Sequence, residues 1–160
     1  MTTMPLAAGA PGRFSRTAQL AEHVLGTLDA VPWSVLALPM RAAAFTVFFR
    51  SGMIKLDDWS AALFLFQEEY RVPLLPPEFA ADLAVAVELG ASSLLLLGLA
   101  TRPAAAALLG MALVIQTLVY PQAWPDHLQW LAFLLPLLLR GPGRFSLDAV
   151  VRRGVLGGEH

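Results

Sequence analysis

From Phe79 to Ala100 the chain runs for about twenty mostly apolar residues, and near the middle of the run stands one ionisable side chain, Glu88. At a rise of about 1.5 Å per residue, a helix of that length matches the roughly 30 Å hydrocarbon core of a bilayer. Three more segments share this character: Trp33 to Gly52, apolar apart from Arg41 and Arg50; Ala104 to Tyr120; and a stretch centred on Leu128–Leu139. The last is short for a crossing unless it starts near Pro125, and Pro136 should kink it. With 57% hydrophobic and 14% charged residues, and a mean hydropathy of +0.62, the chain has too little polar surface to cover itself in water. The expected fold is an all-α membrane protein, a four-transmembrane-helix bundle with spans near 33–52, 79–100, 104–120 and 125–140.

The remaining segments suit the bilayer surface. Ser15 to Ala30 sets Ala21, Val24, Leu25 and Leu28 on one helical face, giving an amphipathic N-terminal segment over residues 1–30. The loop 53–78 mixes charge with WSAALFLF, an apolar run too short to cross. Residues 141–160 form a tail in which Ser146 stands at a helix N-cap position. The pentapeptide PGRFS precedes both terminal helices, at Pro11–Ser15 and Pro142–Ser146, as a shared turn and cap. With the N-terminus inside, Arg13, Arg16, Arg102, Arg140, Arg144, Arg152 and Arg153 fall on the cytoplasmic side, against Arg50, Lys55 and Arg71 outside. That asymmetry predicts a multi-pass protein of a bacterial cytoplasmic (inner) membrane with both termini cytoplasmic. No uninterrupted apolar stretch like that of a cleavable signal precedes the first span.

Several functions are excluded early. A net charge of −1 gives no excess of cations to bind nucleic acid. Without cysteine there is no thiolate metal or iron–sulfur site and no cysteine nucleophile, so redox chemistry would need an organic cofactor or another subunit. His23 and His160 are expected on the face opposite His127, and no His/Glu pair has helical ligand spacing, so no metal site is expected. Phosphate loops, dinucleotide turns and nucleophile elbows are also lacking.

Four pieces in order carry a family resemblance: an Arg-containing first span ending in RSGMIKL (Arg50–Leu56), ELGASSLLLLGLATR (Glu88–Arg102), a third apolar helix, and RGPGRFSLD (Arg140–Asp148). Together, over roughly Pro39 to Asp148, they resemble the DoxX family of small bacterial membrane proteins. Members are similar to the small subunit of a thiosulfate:quinone oxidoreductase, so the resemblance implies a membrane subunit and brings in a quinone as cofactor and an oxidoreductase subunit as partner.

Within the spans, ionisable side chains are expensive and mark candidate sites. Arg41 and Glu88 fall at depths about 6 Å apart when each is measured from the start of its span, so they are expected to pair across the first two spans, either as a register-fixing ion pair or as a proton- or ligand-handling one. Arg50 and Lys55, at the outer end of the first span, either snorkel to head groups or cap an anionic ligand. His127, beside Trp124 and Trp130, is either part of an interfacial aromatic belt or a proton relay. Gln116 is an interhelical hydrogen-bonding residue. Ala86 with Gly90, and Ala106 with Gly110, have the spacing of small residues that let helices approach closely. Two readings follow. In one, Glu88, Arg41 and His127 act chemically on a quinone-like ligand held by Arg50, Lys55, Gln116, Trp124 and Trp130. In the other, the chain is a non-catalytic scaffold or assembly factor for a redox or stress-response complex.

Overall fold

The computed structural model describes residues 13–156, with side chains from 16 to 154. Every described element is helical. The chain divides at Pro32 into two compact units. The first holds α1 (Arg13–Asp29), where Leu20, Val24 and Leu28 recur at helical spacing. The turn-and-cap role of the first PGRFS copy lies outside the described residues.

The second unit is a bundle of α2 (Trp33–Asp57), α4 (Pro77–Leu97), α5 (Thr101–Val114) and α6 (Trp124–Arg140), with short α3 (Trp59–Leu65) at one end, labelled outer after the expected orientation, and α7 (Leu147–Leu156) at the other, labelled inner. The helices form a closed ring: α2 packs on α4 and α6, and α5 packs on the same two. Ala37, Ala44, Phe48, Leu95, Leu108, Leu134 and Leu137 make the core. Ala80, Ala81 and Phe66 form a smaller cluster under the outer segment. Small residues do set the approach of helices, at positions other than those expected. A Cβ on Gly52 would lie 2.7 Å from the Leu89 side chain, whereas one on Gly90 or Gly110 would meet nothing within 4 Å. On α4 the inward face runs through Ala81, Val85, Glu88, Ser92 and Leu95. At about 100° per residue, Ala86 and Gly90 therefore point outward.

By length and apolarity α4 and the Thr101–Val119 helix can each cross a membrane, and a third crossing is reached if Arg16–Asp29 and Trp33–Asp57 count as one broken span. Within α2, Arg41 and Arg50 lower the hydropathy; α6 has 17 residues, or about 25 Å of helix, a little under the core thickness. α2 also runs past Gly52 to Asp57, because its last turns stay packed on α4 through Ser51 and Lys55. It gives way at Asp58, whose Oδ1 accepts from the Ala61 N–H at 2.9 Å as the N-cap of α3, a bond that holds the Asp58 carboxyl below the usual carboxylate range. α6 continues as helix through Pro136 to Arg140.

The two most distinctive sequence pieces meet at the inner end. α4 ends in a left-handed Gly98, with the Leu99 N–H bonded to the Leu94 carbonyl, a Schellman closure. Around it folds the segment Arg140–Asp148. Trp33 Nε1 donates to the Gly141 carbonyl, the Arg144 N–H to Ser34 Oγ, and the Asp148 N–H to the Gly98 carbonyl. The Asp148 carboxylate accepts from the Ala100 and Thr101 N–H groups at 2.8 and 3.1 Å, satisfying donors at the start of α5 from 48 residues away. Ser146 Oγ accepts from the Ala149 N–H at 3.2 Å, the N-cap expected of it. Arg41 completes this lock. Only 4% exposed, it donates Nε to the Leu95 carbonyl at 2.7 Å, Nη1 to the Phe145 carbonyl at 2.6 Å, and Nη2 to the Leu96 carbonyl.

Candidate functional site

The expected Arg41–Glu88 pair does not form. Arg41 lies level with the end of α4, while Glu88 lies level with Ser51, ten residues further along α2 and so about 15 Å away. Measuring depth from the span starts failed because α2 extends beyond its apolar stretch and α4 begins two residues earlier than Phe79, so the helices register differently. Arg41 instead hydrogen-bonds the Leu95 and Leu96 carbonyls at the C-terminus of α4, where a cation is favoured.

Glu88 has a different cation. Lys55 Nζ lies 2.8 Å from both carboxylate oxygens and 2.9 Å from Ser51 Oγ, and Ser51 Oγ donates to Glu88 Oε1 at 3.0 Å. Ser51 and Lys55 are one helical turn apart on α2 and present one face to α4. The side chain of Glu88 is 5% exposed and that of Lys55 15%. Gly52 makes this proximity possible: a Cβ there would stand 3.2 Å from that of Glu88.

This cluster forms part of the wall of a cavity of about 460 Å³ between α2, α4, α5 and α6, lined at its outer end by Phe66, Tyr70 and Val72 of the segment after α3. The rest of the lining is largely apolar, with Phe48, Val87 and Met111 among its members and His127, Trp130, Tyr70 and Tyr120 bringing the other polar atoms. The imidazole of His127 is held firmly. Its Nδ1 lies 2.6 Å from Gln116 Oε1, its ring packs 4.8 Å from Trp130, and Trp130 sits edge-on to the buried Phe48 at 5.1 Å. His127 also borders a second, more open hollow between α5 and α6, lined by Gln116 and Trp124.

Of the residues singled out from the sequence, Glu88, Lys55, His127 and Trp130 thus share one cavity, with Gln116 behind His127. Trp124 reaches only the second hollow, and is 60% exposed. Arg50 is exposed and lines neither cavity, and Arg41 belongs to the inner lock.

Sequence reasoning missed Ser51, Tyr70, Tyr120 and Glu69. Phe66–Tyr70 and Ile115–Val119 are π-helical turns, a local widening found frequently at functional sites. The two tyrosines of the chain stand at their ends, with ring centroids 5.6 Å apart and nearly perpendicular. Tyr120 Oη donates to Glu69 Oε1. That bond raises the Tyr120 phenol well above its ordinary value, and burial raises that of Tyr70. A signal was available: both tyrosines of a span-rich chain fall at the ends of apolar runs, a position where a polar tip can find a partner.

The DoxX family model matches residues 36–121, more than half of the chain. The chain belongs to the DoxX family. The match takes in α2 from Leu36 onward, Lys55, Glu88, both π-helical turns and both tyrosines, and stops short of His127. Comparisons with curated proteins and with solved structures each found no match. Family membership and the apolar helices together point to a membrane protein in contact with lipid.

Proposed function

We propose that this DoxX protein is a membrane subunit linked to quinone-dependent oxidoreduction, and that the cavity beside Glu88 holds a lipophilic, quinone-like ligand. The observation carrying this reading is the combination of an apolar cavity of about 460 Å³ with polar groups on two walls, the Lys55–Glu88 pair and His127. Its size falls within the roughly 300–1,000 Å³ of small-molecule sites, and sparse polar groups in an apolar lining are what orient such ligands. A quinone bound there would supply a two-electron, two-proton couple. The chain's part is to bind and to manage protons. Glu88 is a carboxylate proton acceptor where water is scarce, Lys55 fixes its orientation, and His127 is a second hydrogen-bonding partner for a ring substituent. Trp130, Phe48 and Met111 would pack on the ring. Lys55 takes the ligand-side place that Arg50 was expected to share.

In this reading α2, α4, α5 and α6 are four spans in a bacterial cytoplasmic membrane, with both termini cytoplasmic. The inner lock then gathers Arg102, Arg140 and Arg144 on the cation-rich side. An alkaline-phosphatase fusion at the C-terminus should be inactive and a fluorescent reporter there bright; the reverse overturns the orientation. Ligand binding is tested by titrating a ubiquinone or menaquinone analogue into detergent-purified protein. Saturable binding that weakens in Glu88→Gln and His127→Ala is expected. Failure of the folded wild type to bind would leave the second reading, a scaffold whose Lys55–Glu88 pair is structural.

A further inference from the structure

The hydrogen-bond polarity of the cavity goes further than its size, and indicates which form of ligand it takes. Gln116 Nε2 lies 2.8 Å from the Pro121 carbonyl, which can only accept. The amide must therefore turn its NH₂ to Pro121 and its oxygen to His127. Since Gln116 Oε1 can only accept, the His127 Nδ1 at 2.6 Å must donate. In a neutral imidazole with its proton on Nδ1, Nε2 is a bare acceptor. Nε2 has no hydrogen-bond partner among the described residues, and the ring lies in the cavity wall.

The facing wall has the same polarity. All three N–H donors of Lys55 are taken, by Ser51 Oγ and the two Glu88 oxygens, and the single Ser51 donor goes to Glu88 Oε1. What this wall has left to offer is carboxylate and hydroxyl lone pairs. An incoming ring that carries only carbonyls would bring acceptors to acceptors at both places, leaving desolvated groups unpaired.

Resting on the reading that this cavity holds a quinone-like lipophile, we propose that it selects a ligand that donates hydroxyls, a phenol or quinol-type ring in preference to the carbonyl-only quinone, with His127 Nε2 and the Glu88 carboxylate as the acceptors and Gln116 as the residue that fixes the imidazole tautomer. The remaining side-chain donors on the cavity, the Tyr70 hydroxyl and the Trp130 indole N–H, define the contrary case, in which a carbonyl is recognised instead.

The test compares two ligand pairs on detergent-purified full-length protein: a short-tailed ubiquinone analogue against its quinol under anaerobic conditions, and a redox-inert 4-alkylphenol against its methyl ether, which cannot donate. In wild type the quinol and the phenol should each bind about three- to tenfold more tightly than their partners, the worth of one net hydrogen bond. His127→Phe, which keeps a ring against Trp130 but removes Nε2, should narrow both gaps. Gln116→Leu should narrow them as well, whereas Gln116→Glu, which still accepts from Nδ1, should keep them. If the quinone and the ether bind as tightly as their partners in wild type, and Trp130→Phe weakens the quinone, the polarity argument is wrong while the cavity remains a ligand site. If no member of either pair binds folded wild type, the ligand reading itself fails.

Discussion

The Lys55–Glu88 pair offers a test of helix register that needs no ligand. Lys55→Met strips a carboxylate that is 5% exposed of the cation lying 2.8 Å from both its oxygens, leaving it the single bond from Ser51. Breaking one side of a buried pair in this way costs about 3–5 kcal/mol. For a chain of this size, about 2–4 °C of Tm accompanies each kcal/mol, so Lys55→Met should lower the melting temperature of detergent-purified protein by about 6–20 °C. Glu88→Gln should cost less, because Lys55 keeps Ser51 and has more access to water. In the double variant no ion is left unpaired, and a Gln at 88 still accepts from Ser51. The double should therefore be more stable than Lys55→Met alone, with a coupling of about 0.5–3 kcal/mol. Arg41→Met combined with Glu88→Gln is the control. Those sites share no partner and lie about 15 Å apart along the helix axes, so their effects should add to within about 0.5 kcal/mol. Additive behaviour of Lys55 and Glu88, or strong coupling of Arg41 to Glu88, would show that α2 and α4 are registered differently.

Gly98→Ala should destabilise strongly: its φ of +66° costs another residue about 1–2 kcal/mol, and the new Cβ would stand 2.5 Å from that of Ser146 and 2.8 Å from Arg41 Nη2. Gly90→Ala, in open space on a helix, should be neutral or slightly stabilising in the same melting assay. The Tyr120 phenol is held protonated by its bond to Glu69, so the folded state retains a proton that the unfolded chain releases near pH 10; stability should be level below that pH and fall as pH climbs above it, less steeply in Glu69→Gln. Thr101→Val should be neutral or stabilising, since Thr101 is fully buried and its hydroxyl finds no partner among the described residues.

Apolar runs made the helices legible, because a bilayer imposes length and apolarity on whatever crosses it. α4, α5 and α6 begin within three residues of where the sequence puts them, and Ser146 caps as its position indicates. Side-chain partnerships were less legible. Arg41 and Glu88 looked complementary because each is costly alone in a span, but an arginine can be satisfied by carbonyls, and those of Leu95, Leu96 and Phe145 are invisible in a pattern of side chains. Lys55 was read as an end-of-span cation because the helix was ended at Gly52. Once α2 continues, Lys55 falls one turn beyond Ser51 on the face turned to Glu88. The tyrosines went unnoticed because π-helical turns leave no periodicity to read.

The two ends of the bundle treat buried polarity in opposite ways. At the inner end, the motif that is most specific in the sequence, RGPGRFSLD, commits its groups to bonds within the fold: the Asp148 carboxylate accepts from the N-terminus of α5, the Gly141 carbonyl from the Trp33 indole and the Phe145 carbonyl from Arg41. Such bonds fix where helices start and stop, and a ligand would have to break them to use them. At the outer end the chain departs from regular helix twice, at Phe66–Tyr70 and Ile115–Val119, and lines a cavity with Glu88 and His127. In its neutral Nδ1–H tautomer, His127 presents an Nε2 acceptor with no partner among the described residues, a cost unless water or a ligand reaches it. A lock that fixes the inner ends of α2, α4 and α5 lets the outer end bear that cost, since the helices carrying Lys55, Glu88 and His127 are held in register from the opposite side of the core. The strongest sequence motif therefore marks the end tied by hydrogen bonds, and the candidate site lies where regular helix geometry lapses.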